Sequence, residues 1–445
     1  MENNNNKILN SNRFSIREYD SIKDCVSISK ISRIPFSSDV NAMEGVSQPI
    51  SPEIRPKLSK KSRVVVATDN QNGQTIGSYS CNIKDVMVGG SKKRLYYMFD
   101  VNVDPNYRGM SITKNYLTDL FSLLKKDKKS DSIMMMSTTR TNVPMLKSAA
   151  SFAVNPIFNQ HQYAWKLEGP AALESMPSDC SNLKVWTERD TNAIKKHWSK
   201  GLGKFNFIPS NFDDLLVFNQ RFHCTTYVAS MNRGDRNIEA SVSVWDQDLI
   251  FTLKTKSEST QRHRQLYSCY SIGGTEDEKD WLFRYLLKRV HNNQYSQGIN
   301  YLFIGLSETD PIRKHFPLIP TIKDLDFVAL CHFQSPDTEK LINECMATNQ
   351  PIWNDPRDYG ILLLYPNPTT TTTTIISQSE IPLPLPLPSI QQPLVIQLPV
   401  KATQNKSIIS VVPKKNPHFA SIRSGILRRV NSFETLDRYM ITTAF

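Results

Sequence analysis

The sequence predicts an α/β fold in two successive segments, about 12–168 and 184–366, each with a mixed, mostly antiparallel sheet flanked by helices. Runs of β-branched and aromatic residues, such as 96–103, have the composition of strands and are separated by turn residues. Apolar residues at helical spacing follow, at 112–124 and again at 281–290. Because strands and helices occur in a similar order twice, each segment is expected to build its own sheet.

The first segment opens with an alternating strand and then a helix over 21–31, which Asp20 or Ser21 can cap. Residues 33–63 contain four prolines and are predicted to form a long loop. The Met134–Met136 run is interpreted as a buried strand, not as a metal or sulfur site. The strands of this segment are predicted at 14–17, 63–67, 76–83, 96–103, 133–136 and 163–167.

A proline-containing linker, 169–179, precedes the second segment. In that segment, 240–245 and 249–254 are predicted to form a hairpin, and the apolar residues between 281 and 290 form a helix. The strands are predicted at 183–186, 240–245, 249–254, 266–272, 301–306, 327–333 and 360–365.

The composition changes sharply after Pro366. Thr369–Thr374 is a homopolymer, and Pro382–Pro388 alternates leucine with proline, which favours an extended polyproline-type chain. Such sequences cannot build a packed core, so 367–445 is predicted to be a disordered, low-complexity tail. A short amphipathic helix within 419–439 is the one element predicted there.

Charge and cysteine content bound the classes of function. The net charge of +12 permits association with nucleic acid or chromatin but does not require it. The seven cysteines are odd in number and form no CxxC pair, and the histidines show no ligand spacing, so neither a disulfide framework nor a metal is expected. With no signal-peptide pattern at Met1 and no apolar run approaching ~18 residues, we expect a cytoplasmic or nuclear protein that does not enter a membrane.

One stretch carries a chemical signature. A strand ends at Val103, a turn follows around Pro105, and a helix opens near Ser111. The first turn of a helix leaves N–H groups unpaired, and these combine with the helix dipole to make an anion site. Arg108 adds a fork of donors suited to phosphate.

The segment Tyr107–Thr113 resembles the Tyr-Arg-Gly-x-Gly-Ile-Gly loop of the GNAT superfamily of N-acetyltransferases, which follows a strand ending in Val-x-Pro. The resemblance implies that acetyl-CoA is the co-substrate and that this loop holds its pyrophosphate. It also implies that the strand before the loop splays from its neighbour and pairs with the pantetheine arm. The cofactor-binding residues implied are Val101, Asn102, Val103, Arg108, Gly109, Met110, Ser111, Ile112 and Thr113, with Asn142 as a further hydrogen-bonding residue or, alternatively, a helix cap.

The loop departs from the family pattern at two glycine positions, which are Ser111 and Thr113 here. The tyrosine that acts as general acid in many members is absent from 147–152. Asp100 is a candidate catalytic base, since the acceptor ammonium must lose a proton; a strand aspartate facing water is the alternative. Tyr97 is a candidate site-lining residue or, alternatively, a core residue.

The order of motifs also resembles the plant Hookless-type family of N-acetyltransferases, in which two GNAT-like halves occur in tandem. The segments that carry this resemblance are Ser241–Trp245, Tyr270–Gly274, Glu308–Arg313 and Asp355–Tyr359, and it covers about 12–366. In the second half, Gly273 and Gly274 precede a helix whose first turn carries three carboxylates, Glu276–Glu278. Carboxylates there would repel a pyrophosphate, so the second domain is predicted to be degenerate and not to bind acetyl-CoA conventionally.

Two functions follow from the resemblance. The first is an acetyl-CoA-dependent N-acetyltransferase acting on an amine acceptor, a protein or a small molecule, with no metal. The second is a catalytically inactive GNAT-fold scaffold or binding protein. The retained Arg108 and Gly109 favour the first function, and the lost loop glycines and missing tyrosine favour the second.

Overall fold

The computed structural model describes a set of residue ranges, and every structural statement below concerns these residues: 13–31, 43–47, Pro56, 59–127, 131–140, 142–202, 207–209, 224–246, 251–255, 260–316, 326–350 and Ile352. The strands are β1 (Phe14–Glu18), β2 (Met43–Ser47), β3 (Lys61–Asp69), β4 (Thr75–Val88), β5 (Ser91–Val103), β6 (Ser132–Thr139), β7 (Asn155–Lys166), β8 (Ser181–Glu188), β9 (Phe207–Pro209), β10 (Thr225–Arg233), β11 (Arg236–Asp246), β12 (Phe251–Thr255), β13 (Thr260–Gln261), β14 (His263–Ile272), β15 (Tyr301–Ser307) and β16 (Asp326–Phe333). The helices are α1 (Ser21–Ile31), α2 (Ile112–Lys126), α3 (Val143–Ala150), α4 (Thr191–Leu202), α5 (Glu276–Ser296) and α6 (Pro336–Ala347).

Thirteen of the sixteen described strands, from both sequence segments, join in one sheet, and β13, β12 and β2 form a second sheet. The order of the larger sheet is β1-β3-β4-β5-β6-β16-β7-β15-β14-β11-β10-β8, with β9 paired to β4 beside this path. Most neighbours are antiparallel, and the pairs β5–β6 and β14–β15 are parallel. The predicted class, a mixed and mostly antiparallel sheet flanked by helices, is confirmed.

The predicted separation into two sheets needs correction, because the last described strand of each segment pairs with the other segment. Strand β7 lies against β15, and β16 lies against β6. The two exchanged strands also pair with each other. The exchange covers the edges of β6 and β15, which would otherwise present unpaired N–H and C=O groups. The domain boundaries 12–168 and 184–366 stay a prediction.

The Glu308–Arg313 segment holds the exchanged strand β7 in place. The Glu308 carboxylate accepts hydrogen bonds from the backbone N–H of Asn159, at 2.9 Å, and from its Nδ2, at 2.7 Å. Arg313 Nε donates to the Tyr163 hydroxyl at 2.9 Å. Part of the sequence that suggested the tandem resemblance therefore connects the two segments, since Asn159 and Tyr163 lie on β7.

Two local predictions are wrong. Residues 240–245 do not form a hairpin with 249–254: β11 pairs with β10 across Gly234, whose φ of 60° suits a tight turn, and β12 pairs with β2 and β13. The predicted loop at 33–63 contains the strand β2. Helix α6 was not predicted, although Pro336 occupies a first-turn position that favours a helix start.

Helices cover the two faces of the sheet in the first segment. Ile112 and Leu117 of α2 pack in a core with Met134 and Met136 on one face. Ile342 of α6 packs with Met135 and other residues on the opposite face. The prediction of a buried strand at Met134–Met136 is therefore confirmed, with its side chains alternating between two cores. Helix α5 covers the second segment's core, which is built from β10, β11, β14 and β15.

Several predicted elements, among them the strand at 360–365, the tail at 367–445 and the helix within 419–439, lie outside the described residues. Within the described part of the chain, none of the helices combines the length and the apolar character needed to cross a bilayer.

Candidate functional site

A cleft opens in the sheet where β5 and β6 separate. The two strands pair in parallel from Arg94–Ser132 to Met98–Met136 and no further. Beyond that point β5 stays paired with β4 as far as Val103. We call the space between β5 beyond Met98 and β6 beyond Met136 the donor cleft.

A bulge in β5 produces this separation. The backbone of Asp100 has φ 50°, and the pairing register with β4 shifts between Ser78 and Ser80. Asn102 Nδ2 donates to the carbonyl oxygen of Asp100 at 3.0 Å, which supports the bulge. A Cβ added to Gly77 of β4 would lie 2.5 Å from the Asn102 carbonyl oxygen, so glycine is needed for this close approach. Asp100 itself is half-buried.

The predicted anion-binding loop leads from the cleft to helix α2. Asp104 accepts from the N–H of Asn106 at 2.9 Å and begins a short 3₁₀ turn over Pro105–Tyr107. Gly109 has φ 82° and Ser111 has φ 64°, both in the left-handed region. Ser111 therefore adopts a conformation that glycine prefers, so this replacement keeps the turn rather than abolishing it.

The N-terminus of α2 is not neutralised by the described protein. The N–H groups of Ser111, Ile112, Thr113 and Lys114 have no acceptor among the described residues, and no carboxylate lies in the first turn. The exposed Arg108 side chain makes no ion pair or hydrogen bond with any residue that the structure describes. The four N–H groups lie at the positive end of the helix dipole, and Arg108 belongs to the loop that leads into this helix, an arrangement that suits an anion.

Asn142 caps the helix that follows β6. Its Oδ1 accepts from the N–H of Met145 at 3.3 Å, and its Nδ2 donates to Thr138 Oγ1 at 2.9 Å. The structure thus shows the helix-cap alternative for this side chain. A further role of Asn142 toward a cofactor stays a prediction.

Three side chains are linked by hydrogen bonds at the narrow end of the donor cleft, where β5 and β6 begin to separate. The Tyr97 hydroxyl donates to Ser137 Oγ at 3.3 Å, and Ser137 Oγ donates to Gln160 Oε1 at 2.8 Å. The sequence analysis did not single out Ser137 or Gln160. No signal in the sequence brings Gln160 here, because it lies on the exchanged strand β7.

The second segment repeats this geometry. Strands β14 and β15 pair in parallel only from His263–Tyr301 to Gln265–Phe303. A bulge follows at Ser268, with φ 47°. A short loop then leads through Gly273 and Gly274 to helix α5.

The N-terminus of α5, in contrast, is filled by its own side chains. Thr275 Oγ1 accepts from the N–H of Glu278, and Glu278 Oε2 accepts from the N–H of Thr275 at 2.6 Å, a reciprocal capping box. Arg233 and Arg236 bind Glu278 Oε1 at 2.9 and 3.0 Å. The Thr275 N–H, assisted by Arg233 and Arg236, holds the pKa of the Glu278 carboxyl below its ordinary value.

Among the residues that the structure describes, no three His, Cys, Asp or Glu side chains lie together in a geometry that could hold a metal ion.

No protein-family model and no curated protein matches the sequence. Solved structures do match the fold. The N-myristoyltransferase of Saccharomyces cerevisiae with bound myristoyl-CoA is 9% identical, with a TM-score of 0.50 over 73% of this chain and 84% of that chain. A GCN5-related N-acetyltransferase from Sphaerobacter thermophilus is 12% identical, with a TM-score of 0.43 over 73% of this chain and 97% of that chain.

At these identities the similarity concerns the fold. The chain shares the fold of the N-myristoyltransferase, and the predicted GNAT-like class of fold is confirmed at that level. The role assigned to Tyr107–Thr113 stays a prediction. The narrower resemblance to the tandem Hookless-type family stays a prediction.

Proposed function

We propose that the chain transfers an acetyl group from acetyl-CoA to an amine. One observation carries the proposal: the donor cleft leads directly to an unneutralised helix N-terminus, and the loop between them contains the exposed Arg108. A CoA thioester combines an extended amide-containing arm with a pyrophosphate, and this arrangement offers a complementary group to each.

The backbone of β5 is assigned to the pantetheine arm. Val101, Asn102 and Val103 lie beyond the last residue pair that β5 makes with β6, and we assign this part of the strand to the amide groups of a ligand. An extended ligand can pair with a strand edge in this way, as peptides extend open sheets.

The loop and the first turn of α2 are assigned to the pyrophosphate. The N–H groups of Ser111–Lys114 would donate to phosphate oxygens, and Arg108 would add a charge-assisted contact. Thr113 lies inside the first helical turn, where glycine has no conformational advantage, so its presence does not oppose binding.

The chemistry then needs a base and a polarised carbonyl. The amine nitrogen attacks the thioester carbon, the carbon–sulfur bond breaks, the thiolate leaves, and the nitrogen loses a proton. We assign the proton to the Asp100 carboxylate, which lies at the bulge where the cleft begins. Backbone N–H groups of the splayed part of β5 would polarise the carbonyl.

The acceptor is an amine of a protein or of a small molecule. The second candidate function, an inactive scaffold with the same fold, is favoured by one observation: neither α3 nor the residues that follow it to Phe152 include a tyrosine that could protonate the thiolate.

The first test is calorimetric titration of the full chain with acetyl-CoA, in the wild type and in Arg108→Ala. The variant should bind about 1.5–3 kcal/mol more weakly, as expected for hydrogen bonds to a charged group. That corresponds to a roughly ten- to hundredfold loss of affinity. Arg189→Ala is the matched control, since it removes an exposed arginine in the second segment and should leave binding unchanged.

The second test separates the enzyme from the scaffold. Release of CoA thiol is measured with glucosamine, spermidine and a lysine peptide as probe amines. Thiol release that requires an amine supports the transferase. Binding of acetyl-CoA with no thiol release from any probe supports the scaffold. No binding at millimolar acetyl-CoA excludes the transferase and leaves the scaffold function.

A further inference from the structure

The narrow end of the donor cleft is filled by five side chains, which we call the cleft floor. Four of them form the last two pairs of β5 with β6, the fifth is the next residue of β5, and each is almost inaccessible to solvent. The floor consists of Tyr97 (1% exposed), Met98 (1%), Phe99 (5%), Met135 (2%) and Met136 (2%).

The floor blocks both faces of the sheet. Met98 and Met136 belong to the core beneath α2, while Tyr97, Phe99 and Met135 belong to the core on the opposite face. A thioester carbonyl at the end of the cleft would therefore have packed side chains below it on either side. Protein cores hold few voids, so extra methylene groups there must displace these side chains.

Tyr97 is the largest residue of the floor and is anchored in two ways. Its hydroxyl donates to Ser137 Oγ, which in turn donates to Gln160 Oε1 on the exchanged strand β7. Its ring stacks on Phe99, with centroids 6.2 Å apart and an interplanar angle of 27°. A ring held at its edge and at its face cannot swing aside without losing both contacts.

We infer that Tyr97 determines donor specificity: it closes the cleft floor and restricts the acyl group of the CoA thioester to acetyl or propionyl. The inference rests on the proposed function and specifies its donor. CoA thioesters with medium or long acyl chains are excluded, because the packed side chains of the floor leave no room for carbons beyond the first few of the acyl group.

The experiment compares dissociation constants of the full chain for CoA, acetyl-CoA and octanoyl-CoA by calorimetry. The readout is the octanoyl-CoA to acetyl-CoA ratio, which does not depend on the unknown acceptor. In the wild type octanoyl-CoA should bind at least about tenfold more weakly than acetyl-CoA. In Tyr97→Ala the ratio should fall by about tenfold, because the removed ring leaves a cavity for the chain.

Two further variants of Tyr97 and one control variant separate an effect of ring size from an effect of poor folding. Tyr97→Leu keeps apolar packing if Tyr97→Ala folds poorly, and it should also lower the ratio. Tyr97→Phe keeps the ring and should hold the wild-type ratio within about threefold. Tyr267→Ala is the matched control: it removes a buried tyrosine beside the bulge of the second segment and should not change the ratio.

If the wild type binds octanoyl-CoA as tightly as acetyl-CoA, the inference about Tyr97 is wrong, although the donor cleft still binds CoA thioesters. An unchanged ratio in both Tyr97→Ala and Tyr97→Leu, with CoA still bound, also overturns it. If neither CoA nor acetyl-CoA binds the wild type, the proposed function itself fails and the inference fails with it.

Discussion

The helices α2 and α5 occupy matching places in the two segments, but the first turn of α2 lacks carboxylates and the first turn of α5 carries three. Each follows a strand with a bulge, and each begins where a parallel pair of strands has separated. At α2 the third helical residue is Lys114, and the first turn has no carboxylate. At α5 the third helical residue is Glu278, whose carboxylate accepts the N–H of Thr275.

The difference shows how one backbone arrangement serves two purposes. An unneutralised helix N-terminus attracts an anion, and an N-terminus that carries its own carboxylate gains local stability instead. Under the proposed function, the first segment leaves this N-terminus for a ligand, whereas the second fills the matching position with the Glu278 carboxylate. Three sets of substitutions can break or sharpen this contrast.

The largest effect is expected from Lys114→Glu, which places a carboxylate at the α2 position that matches Glu278. The carboxylate competes with phosphate oxygens for the same N–H groups, so acetyl-CoA affinity should fall at least about a hundredfold. The free chain should gain about 0.5 kcal/mol of stability from the helix dipole. Calorimetry and chemical denaturation measure the two effects.

Lys114→Gln is the control, because it removes the cation without adding an acceptor. Its loss of affinity should stay below about tenfold. If Lys114→Glu binds acetyl-CoA like the wild type, the pyrophosphate does not lie at α2.

A smaller effect is expected from Glu278→Ala, which opens the N-terminus of α5. Because the folded state lowers the pKa of this carboxyl, its stabilising contribution is complete at neutral pH. It is lost as the pH falls through the pKa of the folded state. The variant should therefore melt below the wild type at pH 7, and the gap should close in acid.

Glu276→Ala is the matched control, since its carboxylate is exposed and pairs only with Lys279 among the described residues. Its melting temperature should stay near that of the wild type at both pH values. A gap for Glu278→Ala that widens in acid would contradict this account of α5. Glu278→Ala should also gain no acetyl-CoA binding, because Glu276 and Asp277 remain in the first turn of α5 and repel a pyrophosphate.

The smallest effects are expected from two glycine substitutions in the α2 loop. Ser111→Gly should stabilise the chain by about 0.5–1 kcal/mol, because Ser111 has φ 64°. Thr113→Gly should destabilise it by roughly 0.5 kcal/mol, because Thr113 lies within the helix. Denaturation in urea measures both, and equal effects of the two would refute the conformational reading of the loop.

The sequence determined the local features of both loops. The strand before Pro105, the helix start near Ser111 and the carboxylates at Glu276–Glu278 were all evident from residues close together in the chain. Their meaning depends on propensity, capping and helix dipoles, which act over a few residues. The strand–loop–helix resemblance and the predicted class of fold rested on the same short-range signals.

Only the tertiary structure decided which strands meet. Alternating apolar residues tell which face of a strand is buried, but they do not identify the strand's neighbours. The exchange of β7 and β16 therefore could not be predicted. The exchange brings Gln160 within hydrogen-bond distance of Ser137, which also binds Tyr97. It also brings Asn159 of the first segment to Glu308 of the second. The narrow end of the cleft depends on contacts between residues far apart in sequence, because Tyr97, Ser137 and Gln160 lie on three different strands.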